Sequence, residues 1–561
     1  MPKTLFIFFL IMSHFTVLDL NGQSLKLVIE GETKSATSIL DSMGYKTTFN
    51  NYRSIKDELN ILVGRCQKSG YIESSLKSIK KNNDSTYLAN IRLGRRIDHI
   101  NIKVSPELNP QVKKLNLKEV SANTYEVKIS EVERLLNRLN IILTESGDPF
   151  TSVQLINITV NNNQLIADLV VRSNQLRYID KVIIKGYEAF PTSYIKRFLK
   201  IKSGDLFDIN KIKRKTRQLN DLSFANQIKE PEVLFSKDST LLYLYLEKSK
   251  ANNFDGFLGF GTNETTNKFD LDGYLNLQLI NNLNYGESLR LLYKSDEIDQ
   301  QTFNLSAELP YMFSSPIGLD VGLNIFKKDS TFITVNQTAK LTYQINSKQR
   351  LATGIQYVSS SDLSNTNTLD VNDYNSNFYL LNYTYRQTQL NDLLFPVNFL
   401  FDINASFGKR STGNLNIRQT SFNLHTFKIF NLNDRNSIFT RLTAAQLNSK
   451  NYLDNELFRF GGINSVRGFE ENSLVANLYG VINTEYRYRL GNNLYVHSVL
   501  DASYAENELL NNTSKLFGFG FGFGLLTNAG LFKFTYASGK TQDRQFKLSD
   551  SKIHISLTAT F

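Results

Sequence analysis

From residue 24 onward the chain contains no uninterrupted apolar run long enough to form a membrane-spanning helix, yet beyond residue 254 apolar and polar residues alternate with a period of two. Backbone polar groups inside a bilayer must be satisfied internally, so such a chain crosses a membrane only as a closed barrel of strands. The alternating segments are 254–262, 271–280, 287–295, 302–310, 317–328, 331–345, 350–360, 377–387, 396–410, 418–430, 436–448, 477–490, 494–505, 515–527, 530–541 and 551–561. They number sixteen, each long enough to cross as a tilted strand, and the even count suits a bacterial barrel.

The first residues supply a route to that membrane. Lys3 precedes the apolar run 5–12 (LFIFFLIM), and small or polar residues follow through Gly22 and Ser24, the layout of a secretory signal peptide over 1–23. The apolar run is too short for an anchor, which needs about 20 residues. The single cysteine, Cys66, excludes a disulfide framework and lies too far downstream to carry a lipid at the mature N-terminus. A formal charge of +11 on an exported chain points to lipid headgroups, lipopolysaccharide or unfolded clients, not to nucleic acid.

Before residue 250 the pattern is different: helical and strand periods mix, in a weak repeat of about 75 residues. The third copy (176–250) is clearest. Its strand 178–185 (YIDKVIIK) is closed by Gly186, and Pro191 and Thr192 open a helix bearing Ile195, Phe198 and Leu199. Beyond Gly204, Ile209, Ile212, Leu219 and Leu222 fall on one face of a second helix, which Asp208 can cap; the strands PEVLF and LLYLYLE finish the unit. The middle copy (97–175) places Val132, Leu135, Leu136 and Leu139 on its helix, and the first (24–96) places Ile55, Leu59 and Leu62. The basic run Lys211, Lys213, Arg214, Lys215 and Arg217 reads as a solvated helix face, with headgroup or partner contact as the alternative. These units resemble the polypeptide-transport-associated (POTRA) domain, whose exposed sheet edge accepts an extended client by β-augmentation. The expected fold is therefore α+β POTRA-like repeats followed by an all-β, sixteen-stranded antiparallel transmembrane barrel over 251–561.

Within the barrel, Ile553, Ile555, Leu557, Ala559 and Phe561 share a lipid-directed face, opposite Lys552, His554, Ser556, Thr558 and Thr560. In the segment GFGFGFG, Phe519, Phe521 and Phe523 face lipid, while Gly518, Gly520, Gly522 and Gly524 leave the lumen wall bare.

The gap 449–476 contains FRFGGINSVRGFEENS and, by strand count, is the sixth extracellular loop. Its Val466-Arg467-Gly468-Phe469 resembles the V/I-R-G-F/Y signature in that loop of the BamA/TamA outer-membrane assembly superfamily. The resemblance further implies an acidic, lumen-facing residue in each of the next two strands, and Glu485 and Asp501 occupy those places. An arginine held by two such carboxylates would pin the loop inside the lumen. The first strand carries Gly256, Gly259 and Gly261, which weaken pairing, so its closure against Ile555, Leu557 and Phe561 of the last is expected to form a lateral gate. A C-terminal aromatic such as Phe561 also resembles the sorting signal of outer-membrane barrels.

The resemblance implies an outer membrane protein of a Gram-negative cell with its POTRA arm in the periplasm. It captures unfolded outer-membrane or secreted clients and inserts or exports them through the seam, with outer-membrane lipid and a periplasm-spanning or accessory protein as partners. Three POTRA-like units look closer to the translocation-and-assembly type than to the main assembly machine. The alternative is a two-partner-type secretion pore, whose usual two POTRA domains and plug helix are not evident. A barrel enzyme is the remote reading: five histidines, no G-x-S-x-G and no metal-ligand cluster leave no catalytic site and no cofactor.

Overall fold

The computed structural model describes residues 24–161, 164–172, 175–262, 269–295, 300–364, 371–389, 392–542 and 551–561, the side chains of 161, 257–262 and 269–272 excepted. The expected signal peptide, 1–23, lies outside the described residues. The chain divides into two compact units, one comprising residues up to Tyr178 with Leu206–Asp208, the other Ile179–Asp205 with Ile209–Phe561.

The first unit holds two sheets. In one, Leu25–Gly31 runs parallel to Thr86–Arg92, with Thr48–Phe49 and Ser75–Lys81 at its edges. Helix Tyr52–Lys68, capped by the Asn51 side chain, buries Ile55, Leu59, Leu62 and Cys66 along one stripe against Leu27, Ile29, Ala89 and Ile91. The second sheet has five strands, with His99–Lys103 parallel to Gln164–Arg172 at its centre. Leu139 of helix Ile129–Glu145 is buried on it, with Val132, Leu135 and Leu136 packed alongside. A hairpin of Lys118–Ser121 and Thr124–Lys128, absent from the sequence reading, extends this sheet. Its strands are too short to show a clear period, and Asn123, at φ 58°, makes the turn.

In the second unit, Lys181–Gly186 runs parallel to Thr240–Lys248, which pairs in turn with Ala225–Phe235. Ile195, Phe198, Leu199, Ile212 and Leu219 are buried, whereas Ile209 and Leu222, expected on the same face of the second helix, are only half-buried; that helix spans Ile209–Thr216 and continues as a 3-10 turn over Arg217–Asp221, with Leu222 already extended. The basic run is partly satisfied within the unit: Lys213 and Arg217 both reach Glu230, at 3.2 and 3.3 Å.

Sixteen antiparallel strands then close into a barrel. They are β1 (Asn253–Thr262), β2 (Phe269–Ile280), β3 (Ser288–Ser295), β4 (Gln300–Leu309), β5 (Ile317–Lys328), β6 (Phe332–Asn346), β7 (Gln349–Asp362), β8 (Tyr374–Thr388), β9 (Val397–Thr412), β10 (Leu415–Asn431), β11 (Asn436–Asn448), β12 (Leu478–Arg489), β13 (Leu494–Asn507), β14 (Asn512–Thr527), β15 (Gly530–Thr541) and β16 (Lys552–Thr560). Outward side chains such as Tyr379, Ile482, Leu500, Phe521 and Ile555 are exposed to the lipid side, while their neighbours face in. No helix among the described residues is long and apolar enough to cross a membrane.

The third sheet is fastened to the turns at one end of this barrel. Tyr187 Oη accepts from Asn281 Nδ2 at 2.7 Å and donates to Asn284 Oδ1 at 2.8 Å in the β2–β3 turn. Tyr194 packs edge-on to Tyr311 of the β4–β5 turn, Arg197 Nε donates to Ser314 O at 2.7 Å, and Asp221 accepts from Thr388 Oγ1 at 2.6 Å. Burial pushes the Tyr194 phenol well above its ordinary value, so it remains a neutral donor to Gly286 O. These turns mark the POTRA-facing end; the connections after odd-numbered strands lie at the other end, and the sixth of them joins β11 to β12.

Candidate functional site

The β11–β12 connection does not stand clear of the barrel. Val466 and Arg467 are buried, although they sit in the middle of a loop. Phe458–Phe460 and Leu474–Ala476 pair to form a hairpin base, Phe460 stacks on Tyr479 of β12, and Val466 enters an apolar cluster with Ala476, Val481, Ala505 and Leu516.

Beyond that cluster the loop meets two carboxylates. Arg467 Nε donates to Asp501 Oδ2 at 2.9 Å and Nη2 to Oδ1 at 2.6 Å, a bidentate pair, while the Arg467 backbone N–H also reaches Oδ2 at 2.9 Å. Nη1 donates to Glu485 Oε1. Both acids face the lumen, Glu485 on β12 and Asp501 on β13, and both are buried. Glu485 is shared: Arg487 Nε donates to its other oxygen at 2.8 Å, and the Arg487 guanidinium lies over Phe439 and Phe395, 4.0 and 4.4 Å from their centroids. Asn483, fully buried, donates to Ser465 O at 2.7 Å and accepts from Arg441 Nε at 2.8 Å.

The bare wall is used as well. A Cβ on Gly518 of β14 would lie 2.4 Å from Arg467 O, and one on Gly539 of β15 would lie 2.7 Å from Gly468 O. Gly468 itself adopts φ 91°, and any side chain there would strike the β15 backbone at Ser538 and Gly539. Two glycines in the wall and one in the loop therefore let backbone pack on backbone.

A second anchor, which the sequence reading missed, holds the start of the loop against the opposite wall. Glu456 forms a buried ion pair with Arg410 of β9 and accepts from Gln419 Nε2 of β10 at 2.8 Å. Asn455 Nδ2 donates to Ser360 Oγ of β7 and to Asn372 O, at 2.9 and 2.8 Å, and Asn455 O accepts from Tyr374 of β8. Asp454 binds Arg459 at 2.6 Å and Lys328 of β5 at 3.8 Å. The loop is thus fastened to β5–β10 by its first residues and to β12–β15 by its motif. The only sequence signal for this anchor is a charged residue, Arg410, on the lumen face of a strand.

The seam closes differently from every other strand pair. Among the described residues its ladder consists of Asn253↔Thr560 and Phe254↔Ala559, extended by backbone bonds between Asn252 and Phe561. By contrast β15 and β16 stay in register from Leu531↔Thr558 through Ala537↔Lys552. Ile555 and Leu557 pair with Phe534 and Phe532 of β15 and point outward. Gly256 and Gly259 lie past the end of the short seam ladder and pair only with Leu275 and Asp272 of β2.

An Omp85 superfamily domain model matches residues 281–561, and a surface antigen variable number repeat (POTRA) model matches 177–247. No curated protein matches the sequence. Among solved structures, CdiB from Escherichia coli is 15% identical and superposes with a TM-score of 0.53 over 93% of this chain and 98% of its own. CdiB from Acinetobacter baumannii gives 15% identity, a TM-score of 0.52, and coverage of 94% and 98%. BamA from Haemophilus ducreyi lacking POTRA domains 1–3 is 16% identical over 82% of this chain and 99% of its own, with a TM-score of 0.48.

Proposed function

The chain belongs to the Omp85 superfamily, and from that premise we propose that it is an outer-membrane protein assembly and translocation factor. Its periplasmic POTRA domains capture unfolded clients, and its seam inserts or exports them. The observation that carries this reading is the seam ladder, which stops at Phe254↔Ala559 while every neighbouring strand pair runs on. An edge left unladdered inside a barrel is a template on which an incoming strand can pair.

Two further features support it. Arg467, Asp501 and Glu485 hold the loop against the wall next to the seam, so that the edge is supported without being covered by β1. In the first unit, the strand Ser152–Asn161 lies at the sheet edge and exposes Ile156, Ile158 and Val160 around a β-bulge, apolar side chains on an edge suited to an extended chain. The reading requires no catalytic step and no cofactor. Clients are unfolded barrel or secreted proteins, with outer-membrane lipid around the seam and an accessory protein as a further partner.

The test is reconstitution in liposomes with an unfolded barrel client. The wild-type protein is expected to accelerate client folding, and a disulfide between Phe254→Cys and Ala559→Cys to abolish the acceleration until it is reduced. No acceleration by the wild type, together with ion conductance that survives the disulfide, would replace this reading with the secretion pore.

A further inference from the structure

We infer that Glu470 and Glu471, directly after the loop motif, form an ionic clasp that holds the extracellular half of the seam shut. The inference rests on the seam being the passage for clients, and it concerns what keeps that passage closed between clients.

The backbone ladder joins β1 and β16 only at their POTRA-facing end, at Asn253 and Phe254. Toward the other end stand two lumen-side lysines, one on each side of the seam: Lys552 at the start of β16, and Lys294 near the end of β3, which β2 connects to β1. The loop bridges them. Glu470 Oε1 accepts from Lys552 Nζ at 2.9 Å, and Glu471 Oε2 lies 3.5 Å from Lys294 Nζ. Because the two carboxylates are on consecutive residues of one backbone, the two ion pairs together fix the separation of β16 from β3.

The loop is built to present them. Gly461 and Gly462 have φ 113° and 89°, and a Cβ on either would collide with the pair: with Glu470 O at 2.5 Å from Gly461, and with the Glu471 carboxylate at 2.2 Å from Gly462. Arg467, three residues before Glu470, is clamped to β12 and β13, so the acidic pair hangs on a short tether from a fixed point.

The strength of the contacts matches a latch. All four side chains are partly exposed, between 29% and 52%, so each pair is weak and sensitive to screening. A client strand pairing with β16 can displace them one at a time, whereas the buried Arg467 cluster stays in place. Replacing ladder bonds by side-chain ion pairs makes the extracellular half of the seam the part that opens first.

The experiment is a pulsed electron paramagnetic resonance distance measurement on the full chain in liposomes, with spin labels on Leu291→Cys of β3 and Ile553→Cys of β16; Cys66, being buried, is shielded from the label. Wild type is expected to give one narrow distance. Glu470→Gln with Glu471→Gln is expected to give a longer and broader one, and molar potassium chloride to have the same effect on wild type. Reversing all four charges (Glu470→Lys, Glu471→Lys, Lys294→Glu, Lys552→Glu) is expected to restore the narrow distance, which also controls for misfolding of the neutral variant. A neutral variant that keeps the wild-type distance, or a charge reversal that stays broad in a heat-modifiable barrel, overturns the clasp. The readout is seam width, so a seam that unlatches in a protein unable to fold any client would retain the clasp and remove the assembly reading.

Discussion

Replacing Arg467 by alanine is the most informative perturbation, because the structure indicates where its cost falls. The guanidinium supplies two hydrogen bonds to Asp501 and one to Glu485. Glu485 keeps Arg487, with contacts of 2.7 and 2.8 Å, but Asp501, 1% exposed, keeps as a hydrogen-bond donor among the described residues only the backbone N–H of residue 467. The variant therefore leaves one uncompensated buried carboxylate, and breaking a buried pair in this way costs about 3–5 kcal/mol. At about 1.4 kcal/mol per decade, the loop should open roughly two to almost four decades more often. Amide hydrogen exchange of residues 465–468 in the purified barrel reads this directly, with protease sensitivity of 449–476 as a second measure. The double variant Arg467→Ala with Asp501→Ala should be less perturbed than Arg467→Ala alone, since it removes the stranded charge. If exchange rises by less than about tenfold in the single variant, the reasoning is refuted. The loop would then be held by Val466 and its apolar neighbours.

The wall glycines give a steric counterpart: Gly518→Ala places a methyl 2.4 Å from Arg467 O and should cost about 1–3 kcal/mol and expose the loop to protease. Gly480→Ala on β12, with nothing within 4 Å, should leave it protected. At the second anchor, Glu456→Ala leaves the buried Arg410 charge without its carboxylate and with only the neutral oxygens of Asn451, and should destabilise by about 3–5 kcal/mol in urea unfolding followed by circular dichroism, with enhanced exchange over 451–459. At the POTRA-facing end, Tyr187→Phe leaves the fully buried Asn281 amide without the phenol oxygen and should cost about 1–3 kcal/mol, seen as faster proteolysis of 179–250 released from the barrel turns.

The barrel was legible because lipid imposes a rule at every second position: one charge such as Lys552 on the Ile553 face would be expensive, and the sequence obeys the rule strand after strand. The same alternation placed Glu485 and Asp501 on the lumen side, and the loop motif supplied Arg467 to meet them. What it could not supply were partners distant in sequence. Arg487 was visible on the Glu485 face, but its seat over Phe395 depends on a turn some ninety positions earlier. Arg410 and Glu456 are separated by 46 residues and share no local pattern, so their ion pair follows only from the loop's path across the lumen. Tyr187 and Asn281 are likewise 94 positions apart. The hairpin 118–128 failed to register for the opposite reason, its strands being shorter than the period needed to recognise them.

The seam also has a kinetic meaning. Every other barrel pairing except β11–β12 joins strands separated by a short connection, whereas the bond between Asn253 and Thr560 closes a chain of 307 positions. Closing so long a loop costs more entropy than forming any hairpin, so this contact should form last as the barrel folds. Until then the chain is an open, curved sheet with two free edges, the same state that an unfinished client presents. A barrel whose last-formed contact is also its shortest ladder would retain, after folding, part of its own transition state at the seam.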